Sequence, residues 1–422
     1  MSTRWTLSML CVLGASCSVR NGMGDSGADA GSELAEVRDA ARVTRDAGSD
    51  AGDARGPLPW ADGTLRVQEI TVEWGYPRSS YGRCESAQLV APAAWFGAYS
   101  AAFLRDQRLY YSVMGSPGFV NVETGEIRTL IEPSRVQMGY SGFPVRSQGR
   151  FTLAVQSFYE RAQAIVRFDD LSVTQPGRVI WAHQEIPPTR RAYGTSIVSG
   201  TDSLLAFNRV AVDPAWSEQI NLYVINPDGT GLRNLTYGRP DGVFEFRADG
   251  DRVILTLEGQ IQLWTRGDTA PHKIAQTQRA QWLPWISGDH VVWTDQRHGV
   301  RGDRVDPDNP EIYYMNLRTQ EVRRITHDPP ERPVVQDKAT VQGDWIVWVD
   351  LRHASAPNGG FLGDRMAIYG YHIPTAREYA LVNDAGCRAS HPVIFGEHVY
   401  FDGFVPSVNR SAMYRVPLPV VP

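Results

Sequence analysis

Two short segments of the chain place chemically active side chains at one repeated spacing. Each contains a tryptophan, an aspartate, an arginine and a histidine in the same order: Trp293-x-Asp295-x-Arg297-His298 and Trp348-x-Asp350-x-Arg352-His353. Carboxylate, guanidinium and imidazole groups bind polar ligands and transfer protons, so one interpretation is a binding face on a loop rim around a channel. The other is structural, with Asp–Arg pairs tying neighbouring repeats together. Recurrence in successive repeats favours the structural interpretation, and the six Asp, Arg and His residues are kept as candidate binding residues.

Other catalytic and metal-binding patterns give little support to an enzyme. The loop at 301–309 offers oxygen donors of the kind that hold Ca²⁺, namely Asp303, Asp306, Asp308 and Asn309. Their spacing differs from that of an EF-hand loop, so a solvated turn is favoured. The sequence contains no His-Glu-x-x-His, Cys-x-x-Cys or Gly-x-Ser-x-Gly, the spacings that common zinc sites and serine nucleophile elbows require. We therefore expect no metal and no cofactor.

The elements that must position the repeated residues are short strands. Three β-rich runs, His290–Thr294, Ile312–Asn316 and Glu321–Ile325, are separated by turns rich in Gly, Asp and Pro. This pattern predicts an antiparallel meander. It returns further along the chain, where WTDQRH at 293–298 becomes WVDLRH at 348–353. A period of roughly 40–50 residues with about four strands per unit is typical of a β-propeller.

The whole chain after the N-terminal region follows this repeat. Seven turn-then-strand starts occur at residues 105–111, 147–153, 200–206, 249–255, 288–293, 343–348 and 396–401. The predicted fold class is therefore all-β, a β-propeller of seven blades, with six blades as the alternative. The alternating run at 65–74 has no repeat of its own. We expect it to complete the C-terminal blade and close the ring, because closure removes an exposed sheet edge.

The repeats also resemble a known group of propellers. The segment INLYVINPDGTGLRNLT at 220–236 is similar to the WD-like repeat of TolB-type propellers, and GDHVVWTDQR and GDWIVWVDLR resemble the same superfamily in bacterial envelope proteins. The resemblance covers roughly residues 95–420 and implies a propeller fold. It implies no single function, because such propellers serve as docking modules, enzyme scaffolds and accessory domains.

The N-terminal region differs in composition from the rest. Residues 1–17 place Arg4 before an apolar run and small residues before Cys17, which indicates a secretory signal too short to span a membrane. Its end resembles a bacterial lipobox, which implies a lipidated Cys17; ordinary signal cleavage is the alternative. Residues 18–58 are rich in Asp, Ala, Gly and Ser, a composition that predicts a disordered tether. The predicted propeller domain is 59–422.

The cysteines and the net charge bear on disulfide formation and on nucleic-acid binding. Of the four cysteines, two lie in the targeting region, which leaves Cys84 and Cys387 near opposite ends of the predicted domain. In an exported protein such a pair is a candidate disulfide, and two separate thiols are the alternative. The formal net charge is −5, with no long charge run outside the N-terminal region. There is thus no electrostatic basis for nucleic-acid binding.

Together these features favour a non-enzymatic docking module with a monomeric head that binds an envelope protein or peptide through its loops. The expected location is the cell envelope, as an outer-membrane lipoprotein facing the periplasm or the surface, with secretion as the alternative. The alternative function is a lyase or hydrolase that acts on a polysaccharide at the channel mouth. Convergence of the two repeated Asp–His sets on one cavity would favour the enzyme, and their dispersal would favour the docking module.

Overall fold

The structure is a computed structural model of the chain. It describes residues 62–66, 68–72, 84–93, 103–113, 116–131, 138–140, 145–147, 150–157, 162–169, 175–184, 198–212, 218–237, 242–243, 245–275, 277–298, 300–301, 304–305, 310–328, 334–354, 365–385, 387–405 and 410–421. All regular secondary structure in these ranges is β-strand, which confirms the predicted all-β class. Accordingly, the described residues include no helix of the length and apolarity needed to cross a membrane.

Three strands at the start of the described region join sheets formed later in the chain. They are β1 (Thr64–Leu65), β2 (Gln68–Val72) and β3 (Gln88–Ala93). The next strands form sheet 1, which contains β4 (Phe103–Arg105), β5 (Arg108–Val113), β6 (Ser116–Asn121) and β7 (Ile127–Ile131), with β2 paired to β7. Sheet 2 contains β8 (Met138–Tyr140), β9 (Val145–Ser147), β10 (Arg150–Ser157), β11 (Ala162–Phe168) and β12 (Gly177–Gln184), with β1 paired to β12.

Sheets 3 and 4 are four-stranded antiparallel meanders. Sheet 3 contains β13 (Val198–Gly200), β14 (Leu205–Val212), β15 (Glu218–Ile225) and β16 (Arg233–Asn234). Sheet 4 contains β17 (Phe246–Asp249), β18 (Arg252–Leu257), β19 (Gln260–Thr265) and β20 (His272–Lys273). In both, strands that are consecutive in sequence are neighbours in space, as short turns require.

Sheets 5 to 7 hold the repeated motif and the C-terminus. Sheet 5 contains β21 (Gln281–Ser287), β22 (His290–Asp295), β25 (Glu311–Asn316) and β26 (Glu321–Arg324), and the β22–β25 connection carries a ribbon of β23 (Val300–Arg301) and β24 (Arg304–Val305). Sheet 6 contains β27 (Gln336–Gln342), β28 (Trp345–Asp350), β29 (Ala367–His372) and β30 (Arg377–Val382). Sheet 7 contains β31 (Arg388–Phe395), β32 (His398–Val405) and β33 (Arg410–Pro417), with β3 paired to β33.

In each of the last four sheets, the first hairpin has the same kind of tight turn. A glycine with positive φ opens the tight turn in each, at Gly250 (+56°), Gly288 (+56°), Gly343 (+55°) and Gly396 (+60°). Glycine has no Cβ and adopts this left-handed conformation without steric cost. The Gly-Asp and Gly-Glu starts seen in the sequence are therefore the turns between the first and second strands.

From sheet 2 to sheet 7, apolar side chains pack each sheet against the next along the chain. Between sheets 5 and 6, Val292 and Tyr314 lie in one buried cluster with Ile346 and Trp348, and the Trp348 side chain is fully enclosed. A buried aromatic side chain removes about 150–250 Å² from water, worth about 4–6 kcal/mol. Packing between sheets is thus a main source of stability.

Sheet 7 also packs against sheet 1. Val90 of β3 and Tyr400 of β32 share a buried cluster with Leu109 and Ile127 of sheet 1. The N-terminal β3 is hydrogen-bonded to the C-terminal β33, with Gln88 opposite Arg415 and Ala93 opposite Ser411. The third strand of the described chain therefore meets the last strand in one sheet.

The prediction that residues 65–74 complete the C-terminal sheet is wrong. Residues 68–72 do form a strand, but it pairs with β7 of sheet 1, and the strand that pairs with β33 is β3. Alternation predicts that a strand exists but not which edge it joins. Since β3 reads Gln-Leu-Val-Ala-Pro-Ala and lies with Val90 and Ala91 buried, it lacks the polar alternation that marked the other segment.

Two polar segments of the sequence lie partly in strands. Within residues 209–219, β14 runs to Val212 and β15 begins at Glu218. Within residues 298–310, the chain forms the short ribbon of β23 and β24. The possible Ca²⁺ donors Asp303, Asp306, Asp308 and Asn309 lie outside the described residues.

Candidate functional site

In sheet 5, the motif aspartate is a fully enclosed hydrogen-bond acceptor. Asp295 ends β22 with no exposed surface. Its Oδ1 accepts from the backbone N–H (2.9 Å) and Nε (3.0 Å) of Arg297, and its Oδ2 accepts from another guanidinium N–H of Arg297 (2.7 Å). Oδ2 also accepts from Trp293 Nε1 (2.9 Å) and Gln281 Nε2 (2.8 Å). These bonds occupy both carboxylate oxygens.

The hydrogen bonds also hold Asp295 in its charged form. Burial alone would raise the pKa of the carboxyl group, but hydrogen bonds from Arg297, Gln281 and Trp293 outweigh it and lower the pKa below its usual value. A buried carboxylate survives only when it is paired in this way. Asp295 is therefore unsuited to accept a proton or a ligand.

The arginine and histidine of the same motif lie against one tyrosine of β25. The Arg297 guanidinium carbon lies 4.4 Å from the Tyr313 ring centroid. The His298 ring stacks on Tyr313 at 6.0 Å with an interplanar angle of 10°. Burial raises the pKa of Tyr313 to about 12, so this side chain stays neutral at physiological pH. The motif thus clasps β22 to β25 within sheet 5.

Sheet 6 repeats this clasp. Trp348 Nε1 donates to Asp350 (3.1 Å), and the Arg352 backbone N–H, Nε and a terminal N–H donate to the same carboxylate (2.8, 2.9 and 2.7 Å). Arg352 lies 4.0 Å from the Tyr369 ring centroid, and His353 Nε2 lies 2.8 Å from the Tyr369 hydroxyl. Arg352 also forms an ion pair with Glu378 of β30 (2.7 Å).

The structure therefore places the six sequence-predicted residues in two groups, one in each sheet. Asp295, Arg297 and His298 surround Tyr313 of sheet 5, and their counterparts surround Tyr369 of sheet 6. The interpretation of the Asp–Arg pairs as ties between neighbouring sheets is corrected by these contacts, since both pairs lie within a sheet. The reason is the spacing: an Asp and an Arg two residues apart reach each other before either reaches a neighbouring sheet.

Sheet 7 has a disulfide where sheets 5 and 6 have the clasp. By register, Phe401 faces Tyr414 as Trp293 faces Tyr313. Two residues further along β32, at the position of the motif aspartate, the chain has Gly403. A Cβ there would lie 2.8 Å from Cys84 Sγ, because the Cys84–Cys387 disulfide runs past it. The Tyr414 ring lies equally close, at 2.6 Å from such a Cβ, so no side chain fits at the position that the motif aspartate has elsewhere.

The disulfide lies at the junction between the two ends of the chain. Cys84 precedes β3 and Cys387 precedes β31, so the bond links segments that lead into the two outermost strands of sheet 7. The backbone N–H and hydroxyl of Ser86 donate to Asp384 Oδ2 (2.9 and 2.8 Å), which fixes the same segment. β3 is therefore held by covalent and polar contacts as well as by strand pairing.

Sequence analysis missed a second group of polar residues, on the first strands of sheets 5 to 7. Each strand has a bulge at one equivalent place, where Leu283, Lys338 and His391 have φ of +50°, +56° and +54°. Such a conformation costs a non-glycine residue about 1–2 kcal/mol. β-bulges re-aim side chains, and here they turn the side chain of Lys338 towards the next sheet.

Lys338 and His391 form the centre of this group. Lys338 Nζ lies 2.8 Å from His391 Nε2 and donates to Ser390 Oγ at 3.3 Å. His391 Nδ1 lies 3.0 Å from Ser390 Oγ and 3.4 Å from Asp402 Oδ2. Burial lowers the pKa of His391, and the neighbouring Lys338 lowers it further. A neutral His391 with its proton on Nδ1 accepts from Lys338 and donates to Asp402 or Ser390.

Two further acids extend the group to sheets 4 and 5. Asp337 accepts from Thr294 Oγ1 of sheet 5 (2.8 Å), and Glu245 accepts from the Leu283 backbone N–H (2.7 Å). Burial raises the pKa of both acids. We name Glu245, Asp337, Lys338, Ser390, His391 and Asp402 the inner-strand cluster. Its contacts run from sheet to sheet, so it supplies polar ties between neighbouring sheets.

The inner-strand cluster has no simple sequence signal. The equivalent tripeptides are Trp282-Leu283-Pro284, Asp337-Lys338-Ala339 and Ser390-His391-Pro392, which share a bulge but no residue type at the first two positions. Only the strand register, known from the structure, aligns them. Among the residues that the structure describes, no three His, Cys, Asp or Glu side chains are arranged to hold a metal ion.

Comparison with known proteins gives a fold and no family. No protein-family model matches the chain, and no curated protein matches it. Among solved structures, the β-propeller domain of the trilobed protease from Pyrococcus furiosus is similar, with a TM-score of 0.50 at 9% identity over 79% of this chain and 96% of that one. The chain therefore has a β-propeller fold, as the sequence repeats predicted. At this identity the likeness extends to the fold alone.

Two further structures are looser matches. An acylaminoacyl peptidase in complex with Z-Gly-Gly-Phe-chloromethyl ketone has a TM-score of 0.49 at 12% identity, over 79% of this chain and 51% of that one. A putative TolB from Agrobacterium tumefaciens has a TM-score of 0.35 at 13% identity, over 69% of this chain and 94% of that one. This chain thus spans about half the length of the peptidase.

Proposed function

We propose that the seven sheets are the blades of a closed propeller ring and that this head is a docking module for an envelope protein or peptide. The observation that carries the proposal is that the aspartates of the repeated motif are buried and fully bonded. Its two aspartates have no exposed surface and are bonded to tryptophan and arginine of their own sheet. The most conspicuous acids in the sequence are thus committed to the scaffold, which leaves surface contacts as the basis of function.

The arrangement of the chain ends supports a rigid head. β3 pairs with β33, sheet 7 packs on sheet 1, and the Cys84–Cys387 disulfide crosses 303 residues of sequence. A scaffold that does not reorganise on binding loses less conformational entropy when a partner docks. Rigid propellers suit recognition by loops for this reason.

The N-terminal region supports an anchored head. The sequence of residues 1–17 has the features of an export signal ending at Cys17, and residues 18–58 have the composition of a flexible tether. On this proposal the lipid on Cys17 holds the protein at a membrane of the cell envelope, and the tether gives the head reach to its partner.

An enzyme remains the second candidate because of the inner-strand cluster. A neutral His391 in contact with Lys338 and near Asp402 is a set of groups that can transfer protons. The alternative is a lyase or hydrolase acting on a polysaccharide, with these residues in place of the motif acids and histidines that sequence analysis proposed. The contacts of the cluster between sheets favour a structural role over this one.

A capture experiment separates the two candidates. The full chain, immobilised through a C-terminal tag, is incubated with envelope extract, and bound material is analysed for protein by mass spectrometry and for carbohydrate by sugar analysis. A specific protein retained in stoichiometric amount supports the docking module. Retention of a glycan without protein, together with its cleavage by the wild-type chain and not by a Lys338→Met variant, would replace it with the enzyme.

A further inference from the structure

We propose that the cleft between sheets 4 and 5 binds an acidic segment of a partner protein. The cleft has a volume of about 440 Å³ and lies where the β17–β18, β21–β22 and β25–β26 turns meet β20. This volume falls in the range of small-ligand sites, about 300–1,000 Å³, and suits a few side chains of a peptide. The proposal deepens the docking function and rests on it.

The floor of the cleft is apolar. Leu263 of β19 is nearly buried, and Ile274 and Leu317 lie beside it with partial exposure. An apolar floor beneath a polar rim is the usual anatomy of a recognition site, since the floor supplies affinity and the rim supplies specificity. A leucine or similar side chain of the partner would be seated here.

One wall of the cleft is a fixed guanidinium group. Arg252 pairs with Asp289 (3.1 Å) and Asp249 (3.3 Å) and donates to the Gly288 carbonyl oxygen (2.6 Å). Its side chain nevertheless keeps 23% of its surface exposed. A guanidinium held in place by the protein loses little entropy when it receives a further carboxylate.

The other cations of the cleft are exposed and not neutralised by neighbours. Lys273 of β20 and Arg318 of the β25–β26 turn form no ion pair with the residues that the structure describes. The lining residues include three cations, Arg252, Lys273 and Arg318, and one carboxylate, Asp289. A second carboxylate, Asp249, also pairs with Arg252, so the positive excess comes from Lys273 and Arg318. This local excess of positive charge lies on a chain whose formal net charge is −5. Such a patch attracts negatively charged partners.

A carboxylate-rich peptide is the occupant that fits both features. Its acids would face Lys273, Arg318 and the exposed edge of Arg252, and an interspersed apolar side chain would cover the floor. A polyanionic glycan would match the charge but not the apolar floor. The two occupants are therefore distinguishable by probes that carry charge with and without apolar groups.

The test uses a fluorescein-labelled octapeptide of alternating Glu and Leu, titrated with the full chain at low salt and followed by fluorescence anisotropy. We expect saturable binding that weakens about tenfold in the double variant Lys273→Glu and Arg318→Glu. The matched control is Arg377→Glu, which reverses an exposed arginine outside the cleft and should bind as the wild type does. Rising salt should weaken wild-type binding, because both cations are exposed.

Several outcomes would overturn the proposal. One is equal peptide binding by the wild type and the double variant, and another is a loss of peptide binding in the Arg377→Glu control as large as in the double variant. The others are no peptide binding by the wild type, or a preference of the wild type for polygalacturonate over the peptide. Partner capture with the same variants keeps this inference separate from the docking function. If the wild type and the double variant capture one partner equally, the proposal that the cleft binds the partner is wrong and the docking function stands. If the wild type captures no protein, the docking function fails.

Discussion

At the scale of single residues, the repeated aspartates act as acceptors that organise a strand end. Asp295 and Asp350 each receive an indole N–H, a backbone N–H and two guanidinium N–H groups. Charge-assisted bonds of this kind are about twice as strong as neutral ones. Removing the carboxylate takes this acceptor away from the indole and backbone N–H donors beside it.

Asp295→Ala should therefore destabilise the folded state. We expect a loss of about 3 kcal/mol in the free energy of unfolding, the size typical of a broken buried pair, moderated because the Arg297 side chain is 24% exposed. The measurement is urea denaturation followed by tryptophan fluorescence. Asp344→Ala, at an exposed turn of sheet 6, is the control and should lose less than about 0.5 kcal/mol. Equal effects of the two substitutions would contradict the clasp.

His391 should make stability depend on pH. Its pKa is lowered in the folded state by burial and by Lys338, so the unfolded chain takes up the proton first as pH falls below about 6.5. The stability is fully present above that pH and is lost below it, with a slope of up to about 1.4 kcal/mol per pH unit. Asp337 and Glu245, whose pKa values are raised, have the opposite slope, since their contribution is lost as pH rises.

The contribution of His391 is isolated by difference. Thermal unfolding of the wild type and of His391→Gln is compared between pH 7.5 and 5.0, with His272→Gln at an exposed site as the control. We expect the melting temperature of the wild type to fall more steeply with acid than that of His391→Gln. Identical pH profiles of these two proteins would show that the Lys338–His391 contact does not govern the acid response.

At the scale of elements, sheet 7 is assembled differently from sheets 5 and 6. It takes its outermost strand, β3, from the other end of the chain, and it has Gly403 and the disulfide in place of the Asp–Arg clasp. A strand recruited from far away in sequence carries a larger loop-closure cost than one supplied by a hairpin. A covalent bond at this position offsets that cost by restricting the unfolded chain.

Loss of the disulfide should loosen β3 before the other strands. For the Cys84→Ala, Cys387→Ala double variant we expect the free energy of unfolding to fall by about 3–5 kcal/mol, as for disulfides that close long loops. Hydrogen exchange should rise most in β3 and β33. The control is the exchange of β28 and β29 in the same sample. A uniform rise over all sheets, or no change in β3, would contradict the proposed role.

The sequence predicts elements well where the information is local. His290–Thr294 is rich in β-forming residues and follows a Gly-Asp turn, and the strand observed there is β22, His290–Asp295. It predicts poorly whatever depends on distant partners. The pairing of β3 with β33 and the contact of Lys338 with His391 join segments whose register is set by the folded chain. The side chains of the motif were therefore identified, while the contacts that join one sheet to the next were not.

At the scale of the whole molecule, the proposal is an anchored head on a flexible tether. Cys17→Ala should prevent lipidation and move the protein from the membrane fraction to the soluble fraction, since a lipid chain supplies most of the membrane affinity. The measurement is fractionation of cells that express each form, with mass spectrometry of the mature N-terminus. Cys11→Ala, in the region expected to be removed, is the control. Retention of the Cys17→Ala protein in the membrane would contradict lipid anchoring.

We propose that the repeated Trp-x-Asp-x-Arg-His motif holds sheets 5 and 6 together, each within itself, while partners bind elsewhere on the propeller. The most direct test measures two properties of one variant, Asp295→Asn, against the wild type at 20 °C: the free energy of unfolding and the capture of the envelope partner. We expect a clear loss of stability with unchanged partner capture while the variant remains folded. Unchanged stability with lost capture would contradict the structural role of the motif and show that Asp295 belongs to a binding face.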